Sequence, residues 1–212
     1  MTMSRLALAL GLALAANATR AASIEVQVRD AAGNPLGDSA IYAVPASGGT
    51  EARNGRAAIE QADREFVPYV TVIQVGTTVT FPNRDPILHH VYSFSPAKPF
   101  EIKLYTGKSP SEVVFDKSGV VTLGCNIHDW MVGYVVIVPT PHFGKTDATG
   151  NVRLRDLPAG AYEVRAWHPQ QRAAAQAQSL VLDATGTART SFEIDSPARK
   201  PRFKPPLDRL KY

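Results

Sequence analysis

The sequence predicts an all-β protein made of two β-sandwiches. Three observations lead to this fold class. Short apolar segments alternate with polar residues, Gly, Pro, Asn and Asp mark turns between them, and almost no stretch has helical periodicity. The composition, with 44% hydrophobic and 20% charged residues, is that of a globular chain and excludes a fibrous or wholly disordered one.

The elements follow in order along the chain. The first strand is predicted at residues 23–28, where Ile24, Val26 and Val28 alternate with polar residues before a turn at 30–35. The same pattern predicts further strands at 40–44, 70–75, 77–81, 89–94, 113–115, 119–123, 132–138, 152–154, 162–167, 180–182 and 190–194. Residues 170–178, rich in Ala and Gln, alone favour a short helix.

The net charge of +4 belongs to one end of the chain. Residues 199–212 hold six basic residues and one acidic residue, a net of +5, so the rest of the chain carries −1. We interpret residues 196–212 as a basic, Pro-rich tail, either solvated or an electrostatic docking arm for an acidic partner. The body has no basic-aromatic stripe and no nucleic-acid motif, so no nucleic-acid partner is expected.

The N-terminus is typical of a secretory signal peptide. Arg5 precedes an apolar run at 6–16 that is too short to span a membrane, and small residues at 16–18 offer a cleavage site. Residues 1–18 are therefore predicted to be removed; an uncleaved anchor helix is the alternative. No other stretch has membrane length, so a periplasmic or secreted protein without a membrane span is expected.

The sequence contains one cysteine, which limits the disulfides and metal sites that the chain can form. One Cys makes neither an intramolecular disulfide nor a Cys-rich zinc site, and it excludes a dinuclear copper centre with two bridging cysteines. In an oxidising compartment a free thiol is at risk of oxidation, so Cys125 requires an explanation.

Two segments place sulfur and imidazole donors at metal-site spacing. Cys125, His128 and Met131 lie in one short connection, and His89 and His90 lie on an upstream strand. Two His and one Cys with a weak axial Met form the ligand set of mononuclear blue copper, because soft sulfur suits Cu(I) and imidazole suits both oxidation states. Alternation lets only one of the adjacent histidines face the metal, and we favour His89, with His90 as the alternative.

These motifs resemble cupredoxins, most closely the amicyanin-like group linked to methylamine-utilisation proteins. The C-x2-H-x2-M loop has that group's short spacing, and Asn83 opens an N-R-D turn six residues before His89. The resemblance covers about residues 55–138. It implies a Greek-key β-sandwich holding one copper ion at His89, Cys125, His128 and Met131, with Asn83 as a neighbouring side chain that pins the ligand loop near Cys125.

The flanking segments resemble a different family. The motif from Val26 to Leu36, V-x-V-x-D-x-x-G-x-P-L, and the Leu-Pro-x-Gly-x-Tyr motif at 157–162 resemble the two halves of carboxypeptidase regulatory-like, or transthyretin-like, domains. This implies one small Ig/transthyretin-like sandwich at 23–54 and 141–195, split by a cupredoxin domain at 55–140. Two sandwiches in series are the alternative. The split sandwich is expected to have a scaffold or binding role.

Three functions compete. The first is single-electron transfer by blue copper to a periplasmic redox protein such as a cytochrome c or a dehydrogenase. The second is a copper carrier with the same ligands and no redox partner. The third is a Cys125 hydrolase, but Met131 and the second His have no role there, so a non-enzymatic protein is expected.

Overall fold

The computed structural model describes residues 22–48, 54–108 and 110–197. The all-β prediction is confirmed, because every regular element in these residues is a strand. The strands are β1 Ala22–Asp30, β2 Ala40–Pro45, β3 Arg56–Ala58, β4 Glu60–Ala62, β5 Glu65–Val67, β6 Val70–Gln74, β7 Thr77–Thr80, β8 His89–Ser93, β9 Phe100–Tyr105, β10 Val113–Phe115, β11 Gly119–Gly124, β12 Val132–Val138, β13 Phe143–Lys145, β14 Asn151–Leu157, β15 Gly160–Trp167, β16 Gln176–Leu182 and β17 Thr187–Ile194.

The described ranges contain no helix that could cross a membrane. The predicted signal peptide at 1–18 and the charged residues of the tail at 199–212 lie outside them.

The middle of the chain forms a two-layer sandwich. A five-stranded sheet in the order β6-β12-β11-β8-β9 faces a three-stranded sheet in the order β10-β7-β3. Aromatic and branched side chains from both sheets, such as Phe66, Phe81, Phe115 and Val121, fill one buried core between them. Cys125 and Met131 are members of this core, so these two candidate ligands are buried and not exposed on the surface.

Strands from both ends of the described chain share a second core. β1 lies between β14, which is antiparallel to it, and β17, which is parallel to it. A four-stranded sheet in the order β13-β2-β15-β16 supplies the other layer. Ile24 and Val28 from the first strand pack with Val164 and Phe192 in this core. The domain boundaries at 54/55 and 140/141 stay a prediction.

A third apolar cluster joins the two sandwiches through β12. Val135 and Ile137 point into the middle core, whereas Val136 and Val138 point to the other face. There they meet aromatic side chains of the second sandwich, including Trp167 from β15. Because both faces of β12 are covered, its sequence is a continuous apolar run and not an alternating one.

The predicted helix at 170–178 is wrong. Gln176–Leu182 is an edge strand that pairs with β15, and residues 168–175 form an irregular connection. The Gln178 side-chain amide donates to the backbone carbonyl of Ser191 at 2.8 Å, which ties β16 to β17. Helix propensity is a weak preference, and the free hydrogen-bonding edge of β15 overrides it here.

Two turns with the same D-A-x-G-N sequence fix the second sandwich. Gly33 and Gly150 both have positive φ, 83° and 77°. A Cβ on Gly33 would meet nothing within 4 Å, whereas a Cβ on Gly150 would collide with the carbonyl oxygen of Val28. Gly150 is therefore needed both for its backbone conformation and for close approach of the two halves of the chain.

We expect Gly150→Ala to destabilise the protein more than Gly33→Ala. Both changes place a Cβ at positive φ, which costs roughly 1–2 kcal/mol. Gly150→Ala adds overpacking against Val28, for about 1–3 kcal/mol more. Urea unfolding of the two variants measures the difference, and equal destabilisation would contradict the close-approach role of Gly150.

Candidate metal centre

The Cys125 loop is the connection between β11 and β12. Cys125 directly follows β11, and Met131 directly precedes β12. The backbone N–H of Met131 donates to the carbonyl of His128 at 2.9 Å, so the chain turns tightly between the paired strands. Cys125, His128 and Met131 are all buried, at 3%, 7% and 1% exposed.

His89 is brought to this loop by the pairing of β8 with β11. Tyr92 on β8 lies opposite Gly124, the residue before Cys125. A Cβ on Gly124 would lie 2.7 Å from the Tyr92 ring, so the glycine lets the ring lie across β11. The resulting approach buries His89 completely beside Cys125.

Three donor atoms converge from His89, Cys125 and His128. The two Nδ1 atoms are 3.1 Å apart, and Cys125 Sγ lies 3.9 Å from His89 Nδ1 and 3.6 Å from His128 Nδ1. Donors that share one metal ion through bonds of about 2.0–2.3 Å are separated by no more than about twice that length. The three separations satisfy this limit, so the donors present fit a single metal ion with a nitrogen, nitrogen and sulfur set.

His90 is directed elsewhere. Its Nε2 lies 2.9 Å from the carboxylate of Glu101 on β9, and its ring packs against Tyr92. Its Nδ1 is buried and has no hydrogen-bond partner. The structure thus brings His89, and not His90, to the other two donors.

Asp85 orients the His89 ring, a role that the sequence reasoning missed. Its Oδ2 lies 2.7 Å from His89 Nε2, while its two oxygens accept the backbone N–H groups of Asp63 and Arg64 at 2.8 and 2.9 Å. Burial raises the pKa of Asp85, but the hydrogen bonds from Arg64, His89 and Asp63 together lower it below its ordinary value. The ionised carboxylate accepts the Nε2 proton and leaves the Nδ1 lone pair of His89 free to face the other donors.

Asn83 fixes the loop that carries Asp85. Its side-chain N–H groups donate to the carbonyls of Ile87 at 2.8 Å and Tyr105 at 2.9 Å. Its Oδ1 accepts the backbone N–H of Asp85 at 2.9 Å. These bonds anchor the loop between Asn83 and β8, which carries Asp85 and leads to His89.

Tyr105 places a buried hydroxyl in the same core as Cys125. The Tyr105 hydroxyl donates to the carbonyl of Phe81 and accepts from the side-chain amide of Gln61. Burial raises the pKa of Tyr105 to about 12, opposed by the Gln61 hydrogen bond and assisted by the negative charge of Cys125. Tyr105 therefore stays a neutral donor and adds no charge to the centre.

His128 is electrostatically biased toward its neutral form. Burial lowers its pKa, electrostatic interactions with His89 and Arg64 lower it further, and Asp85 opposes them. Its ring therefore keeps a free lone pair down to a lower pH than an ordinary histidine. Trp130 covers this ring with centroids 5.2 Å apart.

The other residues that the sequence singled out are not among the three converging donors. Met131 is buried in the same core as Cys125. Asp129 is exposed. His142 and His168 lie in the second sandwich, where His142 packs edge-on to Tyr162 and His168 Nδ1 accepts the backbone N–H of Gln170.

Comparisons with known proteins give partial similarities. No family model and no curated protein match the chain. Among solved structures, it is similar to a Cu-containing nitrite reductase from Thermus scotoductus SA-01, at 24% identity and a TM-score of 0.38 over 44% of this chain and 25% of that one. The chain thus matches only a quarter of the reductase's length.

Two smaller proteins are similar over almost their whole length. A novel purple cupredoxin from Nitrosopumilus maritimus has 27% identity and a TM-score of 0.35 over 40% of this chain and 100% of that one. An amicyanin variant in its reduced Cu(I) form has 21% identity and a TM-score of 0.37 over 46% of this chain and 99% of that one. Each similarity covers less than half of the present chain.

We expect Asp85→Asn to weaken copper binding by about 10–100-fold, the usual effect of losing a hydrogen-bonded partner of a ligand histidine. The neutral amide that replaces the carboxylate carries no negative charge, so it no longer fixes the tautomer of His89. Competition with a chelator measures the affinity. Asp129→Asn makes the same chemical change at an exposed position, and an equal loss in this control would contradict the orienting role of Asp85.

We expect His89→Gln and His90→Gln to differ sharply. His89→Gln removes one of the three donor nitrogen and sulfur atoms, so it should lower copper affinity more than Asp85→Asn does. His90→Gln leaves all three donors in place. Copper stoichiometry and affinity of the two purified variants measure this. A loss confined to His90→Gln would reassign the ligand.

Proposed function

We propose that this protein is an exported type 1 (blue) copper protein that transfers single electrons between redox partners. His89, Cys125 and His128 would hold one mononuclear copper ion, with Met131 as a further, weaker ligand. The observation that carries the proposal is the convergence of two Nδ1 atoms and one Sγ within 3.1–3.9 Å in a buried place. Imidazole and thiolate are the donor types that both copper oxidation states accept.

Copper held by these donors would supply one-electron chemistry between Cu(II) and Cu(I). The protein contributes the donor set and holds it with its own hydrogen bonds. Asp85 fixes the His89 ring, and the hydrogen bond between Met131 and His128 fixes the loop. A rigid, buried set changes little between the two charge states, which favours fast electron exchange over ligand chemistry.

The surface next to His128 suits contact with a redox protein. Leu88 and Ile127 flank the two histidines in sequence and are each 47% exposed, which is high for large apolar side chains. Exposed apolar side chains mark contact surfaces where they form one patch, and we propose that Leu88 and Ile127 belong to such a patch. His128 is the most exposed of the three donors, so we place the electron path there. A cytochrome c or a dehydrogenase is the proposed class of partner.

The proposed export of the protein and the proposed roles of its two domains rest on the sequence. The signal-like segment at 1–18 supports export to the periplasm or beyond. We propose that the cupredoxin domain spans 55–140 and that the split carboxypeptidase regulatory-like sandwich at 23–54 and 141–195 is its scaffold. The tail at 196–212 is not assigned to the copper chemistry.

Burial of the donors argues against the two competing functions. A copper carrier must release its ion readily, but His89 and Cys125 are 0% and 3% exposed. A hydrolase needs substrate access to its nucleophile, and the same burial denies it to Cys125. Its neighbouring imidazole nitrogens are also directed at each other, at 3.1 Å.

The optical spectrum of the copper-loaded protein tests the proposal. We expect one copper per chain and an intense thiolate-to-Cu(II) charge-transfer band in the visible region, because Cys125 is the only thiol. Addition of a reductant should bleach the band and reoxidation should restore it. A purified protein that binds no copper, or binds it without this band, would overturn the proposal.

Cys125→Ser is the matched variant. It replaces sulfur by a similarly sized oxygen, so the intense band should disappear while the all-β circular dichroism persists. A band that survives in Cys125→Ser would show that the colour does not arise from this thiolate.

A further inference from the structure

A cavity of about 230 Å³ lies between the two sandwiches. Tyr42, Arg165 and Trp167 of the second sandwich line it on one side. Val120 of β11 and Val136 of β12, from the middle sandwich, line it on the other. All of these residues except Arg165 also belong to the apolar cluster that joins the sandwiches, so the cavity is continuous with that contact. Clefts between domains are a preferred place for small-molecule sites.

The strand register brings polar groups to one side of this cavity. Arg165 on β15 lies directly opposite Tyr42 on β2, and Trp167 follows on the same face of β15. A side-chain hydrogen bond links Arg165 to Tyr42, and the Arg165 guanidinium forms an ion pair with Glu163. The Arg165 and Glu163 side chains are 45% and 41% exposed, so this ion pair is open to an incoming ligand.

The ion pair decides which charge a ligand can carry here. The Glu163 carboxylate repels an anion and the Arg165 guanidinium repels a cation, so the pair favours a neutral ligand. The guanidinium N–H groups donate hydrogen bonds, the carboxylate oxygens accept them, and the Tyr42 hydroxyl does both. A hydroxyl group on the ligand also donates and accepts, so it matches all three protein groups.

The other lining groups suit a single ring. Tyr42 and Trp167 offer aromatic faces for stacking, and Val120, Val136 and Pro139 supply apolar surface. Pockets for drug-sized ligands span about 300–1,000 Å³, so this smaller cavity has room for one ring with its substituents.

We propose that this cavity binds a small neutral ring that carries hydroxyl groups, the chemistry shared by a pyranose sugar and a phenol. The ring packs against Tyr42 and Trp167, and its hydroxyl groups bond with Arg165 and Tyr42. Binding involves no covalent or redox step. The residues that line the cavity are distinct from His89, Cys125 and His128, so this function is additional to copper binding.

A nuclear magnetic resonance titration of the purified protein with methyl β-glucopyranoside, methyl β-galactopyranoside and phenol tests the proposal. At least one probe should shift the resonances of Tyr42, Val120 and Trp167 in a saturable way, and its identity distinguishes a sugar ligand from a phenol. Benzoate and benzylamine add a negative or a positive charge to a ring, so each should bind about tenfold more weakly than the best neutral probe. No saturable shift with any neutral probe, or tighter binding of a charged one, would overturn the proposal.

Arg165→Met and Tyr42→Phe remove hydrogen-bonding groups and keep most of the side-chain bulk. Affinity for the best neutral probe should fall by about tenfold in Arg165→Met and about threefold in Tyr42→Phe, because a bond to a charged group is the stronger one. Arg189→Met is the matched control, since Arg189 pairs with Glu25 at 2.9 Å on a different sheet and is not part of the cavity lining. An equal loss in this control, or no loss in either cavity variant, would show that the probe binds elsewhere.

Ser118→Phe tests the location without removing a group from the apolar cluster. Ser118 is exposed and lines the cavity, so a phenylalanine ring at this position should fill the space and abolish probe binding. Circular dichroism checks that the variant keeps the all-β fold. A folded Ser118→Phe protein with unchanged affinity would contradict the assignment.

This inference does not depend on the copper chemistry. Cys125→Ser removes the thiolate and leaves the cavity unaltered, so it should bind the probes as the original protein does. Probe binding by a protein that shows no visible copper band would leave this inference standing while the proposed function fails. A visible band without probe binding would have the opposite meaning.

Discussion

The centre depends on one carboxylate. Asp85 joins the β4–β5 turn, the loop before β8 and the His89 ring through hydrogen bonds of 2.7–2.9 Å. Because its pKa is lowered, it remains a charged acceptor and dictates which nitrogen of His89 carries the proton. The free Nδ1 then meets Cys125 and His128, and the metal-binding chemistry follows from that tautomer.

The neighbouring strands position His89 and the Cys125 loop relative to each other. Gly124 lets Tyr92 lie across β11, which sets the distance between β8 and the Cys125 loop. On the other side of the same sheet, β12 is covered by Val136, Val138 and the aromatic side chains of the second sandwich. The flanking sandwich thus buries a face that would otherwise be exposed apolar surface, and it stiffens the strand that follows Met131.

Much of this could be predicted from the sequence, because alternation and donor spacing are local signals. The strands with clear apolar patterns and the C-x2-H-x2-M loop were found in this way. The strands β3, β4, β5, β9 and β13 were missed. Four of them have three residues, too few to show a clear period, and β9 buries only Ile102 and Tyr105, which is not strict alternation. The helix at 170–178 was wrong because Ala and Gln favour helices locally, whereas the edge of β15 is a tertiary feature. The partnership of Asp85 with His89 was missed because the residues that share its carboxylate come together only in the fold.

X-ray absorption at the copper edge is the most direct measurement of the central claim, which is that His89, Cys125 and His128 together bind one metal ion. The account predicts two imidazole nitrogens and one short thiolate sulfur in the first coordination sphere of the copper-loaded protein, with the sulfur absent in Cys125→Ser. A copper surrounded only by nitrogen and oxygen in the unaltered protein would contradict it.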